Sequence, residues 1–123
     1  MINTLLVGLG GAIGAMARYG IALLPLKEPY AFPLKTFIVN IIGCFAIGCI
    51  VALSIRTQNL SPRAILFLKT GICGGFTTYS TFALETTNLL KTDNYGIATT
   101  YVVLSLVVGI GAIIFSNYVT NKM

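Results

Sequence analysis

An all-α membrane protein with four transmembrane helices, the third broken midway, is the fold class that this sequence predicts, and three observations predict it. Of 123 residues, 56% are hydrophobic and only 9% charged, and the mean hydropathy is +0.90; a soluble domain carries about 25% charged residues. The apolar residues gather into four runs, each long enough to supply the ~20 helical residues that a bilayer core requires. The third run contains GICGGFTTYSTF at residues 71–82, with three glycines and five consecutive hydroxyl side chains, Thr77, Thr78, Tyr79, Ser80 and Thr81. The chain reads as one domain over residues 1–123.

Composition narrows the function. The net charge of +5 comes from basic residues scattered near the ends of apolar runs, which suits interfacial anchors better than a nucleic-acid stripe. There is no histidine, and Glu28, Glu85 and Asp93 are the only acids, so the usual material for acid/base catalysis or side-chain metal ligation is missing. An enzyme is not expected. Cys44, Cys49 and Cys73 are odd in number and lie inside apolar segments, which favours small buried hydrophobes over a disulfide framework.

The first span covers residues 2–24. It is too long for a signal-peptide core of roughly 7 to 15 residues and has no Lys or Arg before it, so it is expected to be retained. Gly10, Gly14 and Arg18 repeat at i+4, and Gly11 with Ala15 makes a second pair of small residues; such faces let helix backbones approach in lipid. Arg18 can snorkel to the interface or lend positive potential to an anion vestibule. Pro25, Pro29 and Pro33 mark a loop.

The second span, residues 36–55, carries one strongly polar side chain, Asn40, on a face with Gly43, Cys44, Ile47 and Gly48. A buried amide must find either another helix or a permeating ion. Residues 57–62 form a polar turn, with Ser61 as N-cap and Pro62 at the first helical position of the third span. An unbroken third helix over residues 63–90 would be roughly 42 Å long, against ~30 Å of hydrocarbon. A break at residues 73–79 accounts for both the excess length and the glycines. Irregular backbone at membrane depth is tolerated only where it is packed in protein or lines a polar cavity, so the break marks an ion site. A loop with Lys91, Asp93 and Asn94 leads to the fourth span, residues 96–119, where Tyr101, Ser105 and Gly109 form an i+4 stripe.

Four spans put both termini on one side. That side carries Arg56, Arg63, Lys69 and Lys122, and the other carries Arg18, Lys27, Lys35 and Lys91. Orientation follows the excess of positive charge, so a balanced chain is expected to insert both ways. Two opposed copies can then pair about an axis in the membrane plane, as an antiparallel dual-topology homodimer.

The GxxGGxTTxSTF run, with Glu85 one turn on, Gly10, Gly11 and Arg18 in the first span, Asn40 in the second and Tyr101 and Ser105 in the fourth, resembles the Fluc (CrcB) fluoride channels. The likeness covers essentially the whole chain. It implies a channel that passively exports fluoride across the bacterial cytoplasmic membrane and relieves fluoride toxicity, as an antiparallel dimer with two pores. It also implies a structural Na⁺ on the two-fold axis, held by the backbone carbonyls of Gly74 and Thr77 from both subunits. By the same resemblance Tyr79 and Phe82 stand at the family's paired phenylalanines, Asn40 at its pore asparagine, and Ser80, Thr81, Tyr101 and Ser105 along its polar track. Glu85, the only carboxylate within a span, can sit with Arg18 at a pore mouth or be an exposed or hydrogen-bonded acid near the helix end. Tyr79 departs from the commoner phenylalanine, keeping the ring edge and adding a hydroxyl.

The chemistry agrees with that assignment. Fluoride is small and tightly hydrated, so a pore must replace its water with many weak donors: hydroxyls, amide N–H and positive ring edges. Two other functions compete. A small dual-topology, proton-coupled exporter of cations needs a carboxylate embedded at its substrate site, and the first span has none. A non-transporting assembly subunit would explain the small-residue faces but not five hydroxyls at a broken helix.

Overall fold

The computed structural model describes residues 1–27, 31–57 and 60–122. Glu28, Pro29 of the proline loop, and residues 58 and 59 of the polar turn lie outside the described residues. Among those described, all regular structure is helical. Helix α1 is Ile2–Ala22 and α2 is Leu34–Thr57. The third column begins as α3, Pro62–Ile65, continues as a π-helix over Leu66–Cys73 and ends in the short turn α4, Gly74–Phe76. After Thr77 and Thr78, α5 runs over Tyr79–Lys91 and α6 over Tyr95–Lys122.

Three of these helices, α1, α2 and α6, are long and apolar enough to cross a membrane among the described residues. The third column is divided, so none of its pieces qualifies alone. The outward faces are apolar: Leu5, Leu9, Ile13 and Met16 are exposed on α1, and Leu106, Val107, Ile110 and Ile114 on α6. Surfaces of that extent belong in hydrocarbon rather than in water.

Glycine decides how α1 packs. A Cβ on Gly10 would lie 2.6 Å from the Phe67 carbonyl oxygen and 2.9 Å from Gly71 Cα, and one on Gly14 would strike the Ile72 carbonyl. From the other side, a Cβ on Gly75 would strike the carbonyl of Gly11. The first span and the broken column therefore touch backbone to backbone, as the spacing of glycines predicts. Helix α2 packs most extensively on α6, where Gly48 leaves room for Ser116 and Gly109 for Cys44. The Arg56 guanidinium donates to the Thr120 carbonyl, closing the far end of that pair.

The local starts follow from side chains. Ser61 is the N-cap of α3, accepting from Ala64 N at 3.2 Å, with Pro62 in the first turn. Thr78 caps α5 in the same way, accepting from Thr81 N at 3.2 Å. The break itself is narrower than residues 73–79, since Cys73 to Phe76 keep helical backbone angles and only Thr77 and Thr78 are extended. The preceding π-helix is the reason the glycines need not unwind: its wider turn adjusts the register, and the chain leaves the helix only where hydroxyls can cap the loose ends.

Candidate functional site

Asn40 is built into the break. Its Oδ1 accepts from Thr78 N at 2.9 Å and its Nδ2 donates to Thr78 O at 3.2 Å, so one carboxamide satisfies both backbone groups of an extended residue. Of the two readings open for this amide, the contact with another segment is realised, and it uses only one of the two N–H bonds the amide carries.

This arrangement frees carbonyls. In a continuous helix Gly74 O would accept from Thr78 N, and Thr77 O from Thr81 N. Those two N–H groups go instead to Asn40 Oδ1 and Thr78 Oγ1. Gly74 and Thr77 thus lose their helical donors at the one place where the column is open, and Gly74 is exposed. Thr77 turns its own hydroxyl back onto Cys73 O at 2.9 Å, which ends the first half of the column.

Two cavities flank the break, and Thr78 lines both. The smaller, about 290 Å³, is lined by Arg18, Lys35, Thr36, Thr78 and Thr81 among others. It is cationic, with no acid in its wall among the described residues. Arg18 Nε is buried there without a hydrogen-bond partner among the described residues. Lys35 reaches across to the Ala22 carbonyl at 2.9 Å and so caps the C-terminus of α1, where a cation also complements the helix dipole.

The larger cavity, about 460 Å³, is an open groove whose wall includes Asn40, Gly74, Thr77, Tyr79, Phe82 and Ser105. The buried Ser105 Oγ has no hydrogen-bond partner among the described residues. Phe82 stands between two other rings, 6.1 Å from Tyr79 and 5.0 Å from Tyr101, both tilted. Tyr79 is 81% exposed, so its ring edge faces outside the single chain.

Tyr101 and Glu85 belong to neither wall directly. Tyr101 is fully buried, packed edge-on against Phe32 at 5.4 Å, and donates its hydroxyl to Glu85 Oε2 at 2.7 Å. Thr36 donates to Glu85 Oε1 at 2.7 Å. Ser80 lines neither cavity; it is exposed and lies 3.5 Å from Thr78 Oγ1. The structure thus gathers Asn40, Gly74, Thr77, Tyr79, Phe82 and Ser105 on one groove and Arg18 and Thr81 on the other, with Glu85 and Tyr101 packed behind them.

Sequence reasoning misses two residues of the site. Thr36 lies one helical turn before Asn40, and that i+4 relation of two polar side chains in an apolar span is a usable signal. Thr78, inside the hydroxyl run, has nothing in its spacing to single it out, although it caps α5, receives Asn40 and faces both cavities.

The sequence is similar to known proteins over most of its length. A family model described as "CrcB-like protein, Camphor Resistance (CrcB)" matches residues 5–117. The chain is 46% identical over 123 residues to the fluoride-specific ion channel FluC of Chlorobaculum tepidum, covering 100% of this chain and 97% of that one. It is 47% identical over 112 residues to the protein of that name from Methylobacillus flagellatus, covering 89% and 88%. A third such protein, from Azobacteroides pseudotrichonymphae, is 39% identical over 117 residues, with 94% of each chain covered.

Proposed function

Because the chain belongs to the CrcB-like family, we propose that it is a fluoride channel, working as an antiparallel pair of chains in a bacterial cytoplasmic membrane. The observation that carries this reading is the convergence of neutral donors on one groove inside an apolar bundle. Asn40 has a second N–H to give, Ser105 a buried hydroxyl with no protein partner among the described residues, and Phe82 and Tyr79 their ring edges. Lys69 is the one charged side chain in that wall among the described residues, and it is exposed; the other donors are neutral, so they can hold fluoride without trapping it. Arg18 and Lys35 raise the local concentration of anions at the smaller cavity, and Thr78 and Thr81 line the way from there to the break.

The direction of flow follows from the membrane potential, which is worth about 2.3 kcal/mol per elementary charge per 100 mV and drives an anion out of a negatively charged cell. No coupling to chemistry is needed, and the protein is a channel rather than an enzyme.

Pairing of two opposed copies is supported by the balanced distribution of Lys and Arg and by the features left open on one chain: the groove, the exposed Gly74 and the outward ring of Tyr79. Each copy would close the other's groove, giving two antiparallel pores. The Gly74 and Thr77 carbonyls, deprived of their helical donors, suit a hard cation such as Na⁺, since two chains together offer four such oxygens. That ion would be structural, neutralising the carbonyl dipoles at the dimer centre.

The test is fluoride release from liposomes containing the purified protein, followed with a fluoride electrode. Release of fluoride without comparable chloride movement is expected. Proton movement driven by an organic cation gradient would favour a coupled exporter, and the absence of any flux an assembly subunit.

A further inference from the structure

We propose that the Glu85 carboxylate is a tethered competitor of the permeating anion: it occupies a fluoride position by accepting the Thr36 and Tyr101 hydroxyl protons that a dehydrated fluoride would otherwise take. The proposal rests on the fluoride-channel reading and assigns this acid a task within it. Both carboxylate oxygens are engaged, Oε1 by Thr36 and Oε2 by Tyr101, each at 2.7 Å. The two donors come from different helices, α2 and α6, and converge on one point held by a third.

Their surroundings connect that point to both cavities. Thr36 lines the smaller, cationic cavity beside Arg18, and the Tyr101 ring lies 5.0 Å from Phe82, which lines the larger groove. A tie between three helices could be made by a neutral amide. A partly buried charge carries a desolvation cost that packing alone does not require. Carboxylate and fluoride are both compact, hard acceptors of hydroxyl protons, and two like charges a few ångström apart in a partly buried site repel strongly. Glu85 and fluoride therefore alternate: the carboxylate gives up its two hydroxyls as the ion arrives and recovers them as it leaves.

The variant that isolates the charge is Glu85→Gln, reconstituted into liposomes, with initial fluoride efflux measured over a range of internal fluoride. With no competing charge, the half-saturating fluoride concentration should fall about tenfold or more while the maximal rate is maintained. Glu85→Asp, which keeps the charge one methylene further back, should lower the half-saturating concentration less than Glu85→Gln does. An unchanged half-saturation in Glu85→Gln overturns the proposal, as does a lost maximal rate at unchanged half-saturation, the signature of a purely structural tie. Should Glu85→Gln fail to fold, the parent protein gives the answer through infrared difference spectra on exchanging chloride for fluoride. Only Glu28 and Asp93 contribute other side-chain carboxylates, so one carboxylate band should shift as its two hydrogen bonds are lost; unmoved bands overturn the proposal. A parent protein that releases no fluoride defeats the channel reading itself, whereas fluoride release with an unmoved Glu85→Gln defeats only the competition.

Discussion

Asn40 joins stability and transport in one side chain. Its amide is what the extended Thr78 backbone bonds to, and removing it leaves a buried N–H and C=O without partners, at about 1–3 kcal/mol for each orphaned group. Asn40→Ala should therefore lower the unfolding midpoint in detergent and suppress fluoride efflux together. Phe82 separates the two properties. Its ring fills the space between Tyr79 and Tyr101, and isoleucine replaces the ring edge with an apolar side chain. Phe82→Ile is expected to abolish fluoride efflux while the protein elutes like the parent in size-exclusion chromatography; unchanged efflux would remove Phe82 from the pathway. Tyr79→Phe keeps the ring and should conduct, so a dead variant would show that the hydroxyl itself takes part.

At the scale of the element, the broken column depends on close backbone approach on one side and on capping at the break. Gly75 abuts the Gly11 backbone, so Gly75→Ala must push α1 away and should cost about 1–3 kcal/mol, as overpacking does. Gly11→Ala is the matching control, because a Cβ there meets nothing within 4 Å and stability in a denaturant titration should hardly move. Thr78→Val removes the hydroxyl that caps α5, a change worth about 1 kcal/mol at an N-cap. It also returns Thr81 N to competition for the Thr77 carbonyl. Loss of efflux larger than the loss of stability in this variant would tie the shape of the break to conduction.

The molecule as a whole is a thin bundle with an open groove, and its completion is a prediction about topology. Because Lys and Arg are balanced across the two sides, a reporter at the C-terminus should be found on both faces of the membrane; a reporter on one face alone would count against opposed copies. Much of this architecture is legible in the order of the amino acids. The hydrophobic thickness of a bilayer demands helices of a certain length, so apolar runs identify spans without reference to neighbours, and the glycine spacing of α1 points to a backbone contact that Gly10 and Gly14 make. Five hydroxyls in an apolar run likewise announce a polar site. What they cannot announce is which hydroxyls are spent on the protein. Thr77 bonds Cys73 O, Tyr101 bonds Glu85, and Ser105 keeps its Oγ unpaired among the described residues. The sequence by itself therefore determined the solvent, the apolar runs and the polar stretch inside the third of them, because these depend on local composition against the thickness of the membrane. The free donors were decided by tertiary structure alone, because a hydroxyl's partner depends on how each helix is rotated against the next, and no periodicity within a single helix contains that angle.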